Sequence, residues 1–350
     1  MFKSLQGALK RTSQRLAVSL LAVFVVIPFN TALADEKLVA IEGRTMGTTY
    51  HIKWVADAKE TDQHAQNIKS KVDQLLVDIN QAMSTYIPDS ELSLFNKEPS
   101  GTEQQVSSAL YELLVKAQRI SDSSNGAYDV TVGPLINLWG FGPDKKVIKA
   151  PSDETISQVR KRVGYEHLKL LGDNTIRKEA DLYIDLSSIA KGYAVDKVAT
   201  LIADNGYTAY LVEIGGELIT TGQKPNAEPW RIAIESPTQG RVIQRIVTVN
   251  DTAVATSGDY RIYFEEDGVR YSHIINTKTG KPITHTLASV SVLADTCAQA
   301  DALATAFLAM GLEKSYNYAV ENGIEAFFIS KKDDGFKETM TPGFAKRIIK

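Results

Sequence analysis

A closely spaced series of short segments in the second half of the chain restricts the fold more than any other feature. Each segment is rich in β-branched or aromatic residues, as strands are, and the series comprises residues 230–235, 246–249, 253–256, 260–265, 269–275 and 289–293. Two further strand candidates, 210–214 and 217–221, flank Gly215-Gly216, a pair typical of a hairpin turn, and Asp267-Gly268 is another such pair. The series therefore predicts a sheet with many antiparallel pairs.

Helices are predicted mainly in the first half of the chain. Residues 63–83 place apolar side chains at three- and four-residue steps, residues 107–120 repeat this spacing, and a short helix at 153–163 ends at Gly164. An extended segment, 42–54, ends in the alternation typical of a strand. Helices and adjacent strands in this order favour an α+β fold over a doubly wound parallel one. We expect a mixed, largely antiparallel sheet with packed helices, in a single elaborated domain or in two intimate lobes.

The segment from Asp185 to Asp196 gives the first indication of chemistry. It predicts a strand over residues 182–186 that ends near the Asp185 carboxylate and opens into a helix running to about Asp204. A helix N-terminus carries about half a positive charge, and Lys191 adds a full charge in the first turn. Unpaired backbone N–H groups beside a lysine suit a phosphate or pyrophosphate.

A second segment, residues 295–311, is typical of an amphipathic helix with a Thr/Asp start and a glycine stop. Asp301 and Thr305 are four residues apart, so they are stacked neighbours on one face, and alanines surround them. Two hard oxygens side by side suit Mg²⁺, which prefers one or two protein oxygens completed by water and substrate phosphates. The lysine and the aspartate therefore imply one substrate. For Asp301 alone, a helix-surface acid or a buried cap is the alternative.

The first 34 residues have the pattern of a secretory signal peptide. Basic residues precede an apolar run at 16–29, and Ala32-Leu33-Ala34 offers a cleavage site before Asp35, which leaves a catalytic domain at 35–350. An uncleaved signal anchor is the alternative. The only cysteine, Cys297, lies within the mature chain, so export without disulfides fits a periplasmic location. We expect Cys297 to be a packing residue rather than a nucleophile.

Charge and motif content exclude several classes of protein. The net charge of −3, with acids and bases interspersed, gives no basic stripe for nucleic acid. No Gly-x-Gly-x-x-Gly nucleotide fingerprint is present. The motifs that remain occur in a distinctive order along the chain: residues 45–48, 84–86, 90–96, 126–131, 185–196, 214–217, 257–260, 273–280 and 300–305.

Together these motifs resemble the ApbE family of flavin transferases, which move FMN from FAD onto a Thr or Ser of another protein. The resemblance covers nearly the whole mature chain and implies an ApbE-like fold. It implies FAD contacts at Met46, Tyr86, Ala127, Tyr128, Asp129, Asp185, Lys191 and the chain near Ile275. It also implies Mg²⁺ ligands at Asp301, Thr305 and the main-chain carbonyl near Ser188. The Tyr86 ring can stack on a flat heterocycle and Met46 can pack against another ring, with ordinary core packing as the alternative for each.

The activity that the resemblance implies is Mg²⁺-dependent transfer of FMN to a Thr or Ser hydroxyl with release of AMP. Its acceptors would be exported domains of membrane redox complexes, such as the sodium-pumping NADH:quinone reductase or Rnf-type complexes. The attacking hydroxyl must lose a proton, and His273 is the expected general base because it lies in a family motif beside the expected flavin site. A histidine that only positions the cofactor is the alternative.

Two other functions stay open at this point. Water could attack in place of the hydroxyl, which would make the protein an FAD pyrophosphatase that gives FMN and AMP. A flavin-binding or storage protein would hold FAD without turnover. The chain also departs from the family pattern, because no lipid-anchoring cysteine follows the signal peptide and Thr277 stands where proline is common. We expect the loss of that proline to loosen a turn.

Overall fold

An eight-stranded sheet forms the centre of the fold in the computed structural model, which describes residues 36–143, 149–238, 240 and 242–349. The predicted signal peptide, residues 1–34, lies outside the described residues and stays a prediction. The helices are α1 (Asp62–Met83), α2 (Glu91–Lys97), α3 (Ser108–Ser123), α4 (Gly133–Leu138), α5 (Asp153–Arg160), α6 (Ala190–Asp204), α7 (Cys297–Met310), α8 (Leu312–Glu321) and α9 (Pro342–Ala345).

The strands are short and most of them lie in the second half of the chain, as predicted. They are β1 (Glu36–Thr45), β2 (Thr48–Asp57), β3 (Glu103–Gln105), β4 (Leu168–Gly172), β5 (Thr175–Lys178), β6 (Tyr210–Ile214), β7 (Glu217–Thr221), β8 (Trp230–Glu235), β9 (Ile243–Val249), β10 (Thr252–Gly258), β11 (Tyr263–Glu266), β12 (Val269–Ser272), β13 (Ile275–Asn276), β14 (Lys281–Pro282), β15 (Leu287–Ala294), β16 (Glu325–Lys332) and β17 (Gly335–Met340).

The central sheet has the order β1-β2-β6-β7-β10-β15-β16-β17, and every neighbouring pair in it is antiparallel. Three hairpin pairs and a three-stranded sheet, β3-β5-β4, lie outside it. The predicted α+β class with a largely antiparallel sheet is confirmed. The described residues belong to one compact unit, so the fold is a single domain rather than the two lobes that were the alternative. None of the helices among them is long and apolar enough to cross a bilayer.

Both faces of the sheet are buried, which explains why its inner strands are apolar without clear alternation. Along β10, Ala253 and Ala255 face the main core while Val254 packs into a second cluster on the other face. Helices α1, α6 and α7 pack on the main-core face, and the β8–β9 hairpin with α9 supplies the second cluster. Alternate residues of a strand point to opposite faces of the sheet, so a sheet that is covered on both faces needs apolar residues at successive positions of its inner strands.

Helix α7 lies inside the main core rather than on the surface. It packs on β10 and β15 of the sheet and against α3, α6 and α8, so the expectation of an amphipathic helix was wrong. Its predicted ends are confirmed, because the Thr296 hydroxyl accepts a hydrogen bond from Gln299 N at 3.3 Å and Gly311 ends the helix with a φ of 82°. Cys297 is fully buried, as expected for a packing residue.

Helices α6 and α7 are joined by hydrogen bonds and close packing near their N-termini. The Asp196 carboxylate of α6 accepts hydrogen bonds from Cys297 N at 2.7 Å and from Ala298 N at 3.0 Å, and so caps α7 from a neighbouring helix. Gly192 is at the point of closest approach, since a Cβ there would lie 2.4 Å from the Cys297 carbonyl oxygen. These contacts fix Lys191 on α6 relative to Asp301 on α7.

Several predicted strand limits require correction. Residues 182–186 do not form a strand but make one isolated parallel bridge, Val132 to Tyr183, because the Asn96 side-chain amide pairs with both backbone groups of Ile184. Helix α6 begins at Ala190 after a turn, so Lys191 lies in its first turn and Asp204 ends it, as predicted. The segment at 269–275 is interrupted at His273 and Ile274 between β12 and β13, and the first extended segment is a hairpin turning at Met46-Gly47.

Candidate active site

A cavity of about 410 Å³ opens where the β6–β7 turn, the start of α6 and the middle of α7 meet. Its remaining wall comes from the end of β10, the loop before α4 and the chain between β12 and β13. It is lined by residues that the sequence predicted, namely Tyr86, Ala127, Tyr128, Asp129, Asp185, Ser188, Lys191, His273, Ile275, Asp301 and Thr305, and by others including Glu217, Ser257, Ile262 and Thr277. The fold thus brings together segments from distant parts of the chain.

The electrostatic centre of the cavity is a lysine between two buried carboxylates. Lys191 Nζ lies 2.8 Å from Glu217 Oε1 and 3.9 Å from Asp301 Oδ2. Glu217 is 4% and Asp301 is 3% exposed. Gly192 N, in the first turn of α6, donates to Asp301 Oδ2 at 3.1 Å. This N–H therefore donates to a carboxylate of the protein itself, so it is not one of the unpaired N–H groups that the sequence led us to expect at the start of α6.

The pKa values of these three groups follow from burial and mutual attraction. Burial raises the pKa of Glu217 to about 7, although Lys191 opposes the rise. Burial likewise raises the pKa of Asp301, against the effects of Lys191 and the Gly192 N–H. Burial alone would lower the pKa of Lys191, but Asp301 and Glu217 outweigh it and hold that pKa above its usual value. Lys191 is therefore a cation at neutral pH.

The donor set around Asp301 fits a magnesium ion that is shared with a substrate. One ammonium faces two carboxyl groups, and Glu217 Oε2 is buried without a hydrogen-bond partner in the described structure. The cavity as a whole is lined by more carboxyl groups than cationic ones. Thr305 Oγ1 lies 3.0 Å from Ser257 Oγ, one helical turn from Asp301. Among the described residues there is no group of three or more His, Cys, Asp or Glu side chains able to hold a metal by themselves. Mg²⁺ accepts such a partial set when phosphate oxygens complete it.

His273 has the protonation state that a general base needs. Its Nδ1 lies 3.1 Å from the Ile262 carbonyl oxygen, which can only accept, so Nδ1 carries the proton and Nε2 keeps a free electron pair. Burial lowers the pKa of His273 below its usual value of 6.5, and the positive charge of Lys191 contributes to the decrease. The imidazole is neutral at pH 7.

Another part of the cavity wall combines an exposed aromatic ring with polar side chains that stabilise loops. Tyr86 is 62% exposed, so ordinary core packing does not explain it and its ring is available for stacking. Asp129 accepts hydrogen bonds from Thr131 N, Thr131 Oγ1 and Tyr165 N, and Asp185 accepts one from Ser187 N at 2.8 Å. Tyr128 is buried, and its hydroxyl oxygen accepts a hydrogen bond from Ser188 Oγ at 3.1 Å.

Residues 46–328 match the ApbE family model. The chain belongs to the ApbE family. Among similar proteins, an FAD:protein FMN transferase from Vibrio cholerae is 45% identical over 89% of this chain and 93% of its own length. One from Haemophilus influenzae is 38% identical over 95% of this chain and 98% of its own length.

Solved ApbE structures share the fold of this chain. A histidine-to-glycine variant of the flavin transferase ApbE from Vibrio cholerae superposes with a TM-score of 0.82 at 45% identity, covering 89% of this chain and 99% of that one. The ApbE protein from Thermotoga maritima gives a TM-score of 0.79 at 28% identity, covering 90% of this chain and 100% of that one. The fold and family expected from the motifs are both confirmed.

Met46 is the one predicted site residue that does not line the cavity as the described residues form it. It is half-buried, packs against the main core and occupies the β1–β2 turn with a φ of 49°. Two residues further on, Thr48 lies beside Gly215, which does line the cavity. Met46 is thus two residues along the chain from a neighbour of the cavity wall, and its contact with FAD stays a prediction.

Two cavity residues of this ApbE chain have contacts that motif reasoning missed. Glu217 was part of a matching motif, but only the structure places its carboxylate on Lys191. Thr277, expected to loosen its turn, instead donates a hydrogen bond to the Gly126 carbonyl at 2.6 Å and ties two walls of the cavity together. Neither partner is near in sequence, so no local pattern could have revealed these contacts.

Proposed function

We propose that this protein is an FAD:protein FMN transferase, which moves FMN from FAD to a Thr or Ser hydroxyl of an acceptor protein and releases AMP. The observation that carries the proposal is one cavity that holds Lys191, Asp301 and Thr305 together with a histidine whose Nε2 is free to take a proton. Similar proteins named FAD:protein FMN transferase support it. Storage of FAD would need neither the base nor the excess of buried carboxylates.

In the proposed reaction the acceptor hydroxyl attacks the phosphorus of the FMN half of FAD. A bond forms between the hydroxyl oxygen and that phosphorus, the P–O bond to the AMP half breaks, and AMP leaves with the electron pair. The hydroxyl proton passes to Nε2 of His273, which the Nδ1 contact with Ile262 keeps in the right tautomer. Lys191 offsets the charge that develops on the pyrophosphate oxygens.

Asp301, Thr305 and the main-chain carbonyl near Ser188 would hold Mg²⁺ in this scheme. When bound, the ion would neutralise charge on the pyrophosphate and make AMP a better leaving group. Tyr86 supplies an exposed ring on which the flavin can stack, and Ile275, buried at 5% exposure, forms an apolar wall. The chain's own groups bind and orient FAD and move the proton.

Export and acceptor identity are part of the same proposal. A cleaved signal peptide at 1–34 would place the enzyme in the periplasm, where exported domains of redox complexes, such as the sodium-pumping NADH:quinone reductase or Rnf-type complexes, would receive FMN. Export is supported by the basic, apolar and small-residue regions in the first 34 residues, and by the single cysteine, which is buried.

The proposal is tested with the protein from Asp35 onward, FAD, an exported acceptor domain, and either Mg²⁺ or EDTA. We expect the acceptor to gain the mass of FMN only with Mg²⁺, and we expect the gain to disappear when the acceptor Thr or Ser is replaced by alanine. An acceptor that stays unmodified while the enzyme binds FAD would contradict the proposal.

A further inference from the structure

Glu217, the first residue of β7, has no role in the mechanism above although it lines the cavity. It is 4% exposed, and one carboxylate oxygen accepts a hydrogen bond from Lys191 at 2.8 Å. The other oxygen is buried and has no hydrogen-bond partner in the part of the chain that the structure describes. A buried carboxylate with an unpartnered oxygen is unfavourable for folding, so its presence needs a functional explanation.

The distances show which carboxylate holds Lys191. Nζ is within hydrogen-bond distance of Glu217 at 2.8 Å but not of Asp301 at 3.9 Å. Asp301 instead accepts from Gly192 N with the same oxygen, Oδ2, that faces the lysine. Glu217 therefore keeps the lysine from forming a direct hydrogen bond with Asp301.

The hairpin turn is shaped for this arrangement. Gly215 has a φ of +63°, and a Cβ there would lie 3.4 Å from Lys191 Cδ and 2.8 Å from Thr48 Cγ2. Glycine therefore leaves room for Thr48 as well as permitting the turn, and the lysine stem passes at ordinary contact distance. The pairing of Ile214 with Glu217 sets the carboxylate immediately after the turn, where it meets the ammonium.

We propose that Glu217 is a positioning residue that holds the Lys191 ammonium on its own carboxylate and so leaves Asp301 free to bind a cation together with the FAD pyrophosphate. Without the charge of Glu217, Lys191 moves the short distance to Asp301 and competes with the cation for it. The inference rests on the proposed function, in which the cavity binds FAD with Mg²⁺.

The test replaces Glu217 by glutamine, which keeps the shape of the side chain and removes its charge. FAD binding is followed by flavin fluorescence while Mg²⁺ is titrated, with no acceptor present. We expect the Mg²⁺ concentration at half-maximal FAD binding to rise by about 10- to 100-fold, the range seen when a group that orients a metal site is lost. Glu217→Asp keeps the charge and should show a smaller rise.

Two further variants separate positioning from a structural effect. Glu325→Gln makes the same change in a carboxylate that pairs with Arg347 at 2.9 Å outside the cavity, and it should leave the Mg²⁺ midpoint unchanged. The Lys191→Met variant lacks the competing ammonium. The double variant Lys191→Met/Glu217→Gln should therefore have the same Mg²⁺ midpoint as Lys191→Met alone, so the two substitutions are not additive. Thermal unfolding of each variant checks that it is folded; if Glu217→Gln is not, Glu217→Asp provides the test.

An unchanged midpoint in folded Glu217→Gln, or the same shift with and without Lys191, would overturn the inference. A wild-type protein that binds FAD with Mg²⁺ but transfers no FMN would contradict the proposed function instead. The Mg²⁺ titration of FAD binding therefore tests the inference about Glu217, and the transfer assay separately tests the proposed function.

Discussion

Gly192 is the residue where the smallest change should have the largest effect on both stability and activity. A Cβ at this position would lie 2.4 Å from the Cys297 carbonyl oxygen, 2.6 Å from its carbonyl carbon and 2.7 Å from Ala298 N. All three are backbone atoms, which no change of rotamer can move. Ordinary contact begins at 3.4 Å, so Gly192→Ala requires α6 and α7 to separate locally by about 1 Å.

That separation would lower the free energy of unfolding in two ways. Overpacking of this kind costs about 1–3 kcal/mol of unfolding free energy. The hydrogen bond from Gly192 N to Asp301, now 3.1 Å, would be lost, and a bond to a charged group is worth roughly 1.5–3 kcal/mol. We therefore expect Gly192→Ala to lower the free energy of unfolding by about 2.5–6 kcal/mol and the Tm by roughly 4–9 °C.

Thermal unfolding and FAD binding measure the two consequences. FAD affinity in the presence of Mg²⁺ should fall even at temperatures where the variant is fully folded, because Asp301 moves relative to Lys191. Ala203→Ser adds one atom on the exposed side of the same helix and serves as the control. A Gly192→Ala protein with the wild-type Tm and FAD affinity would refute this account of how the two helices form the site.

Three other changes test separate parts of the structure. Burial keeps the pKa of His273 below 6.5 and its neutral form is the active one, so log kcat/KM should fall as the pH drops through that pKa, below the separate decrease that protonation of Glu217 near pH 7 causes. His273→Ala should lower kcat strongly and remove the limb below pH 6.5 while FAD still binds, and loss of binding alone would make the residue a positioning one. Asp196→Ala should lower the unfolding free energy by about 1–3 kcal/mol, measured by urea denaturation, because two N–H groups of α7 lose their acceptor. Asp301→Asn should abolish Mg²⁺-dependent transfer while the fold persists by circular dichroism; retained transfer at ordinary Mg²⁺ would remove Asp301 from the mechanism.

Eleven of the twelve predicted site residues line the cavity. Local chemistry indicated Lys191, Asp301 and Thr305, and the resemblance to the ApbE family implied most of the others. Asp301 and Thr305 could be placed on one helix face from their spacing alone, and Lys191 at a helix start from the residues around it. The β6–Gly215-Gly216–β7 hairpin was predicted with its observed limits for the same reason, since a two-residue glycine turn determines its own pairing.

What the sequence did not reveal depends on partners far along the chain. The strand predicted at 182–186 was overridden by the Asn96 amide, which satisfies the Ile184 backbone across a separation of 88 residues. The burial of α7 on all sides follows from the elements around it, and its own alternation of small and large residues does not show this. Asp196 ends the segment that indicated an anion site, and its carboxylate caps α7, which its own position in the sequence does not reveal. In each case tertiary contacts decided between local possibilities.

The stoichiometry of products tests the central claim most directly. With FAD, Mg²⁺ and an exported acceptor domain, released AMP and acceptor-bound FMN are measured together over one time course. The account predicts one FMN on the acceptor for each AMP released, and a strong decrease of both products in His273→Ala. AMP accompanied by free FMN and an unmodified acceptor would contradict it, because the cavity would then deliver the FMN phosphoryl group to water.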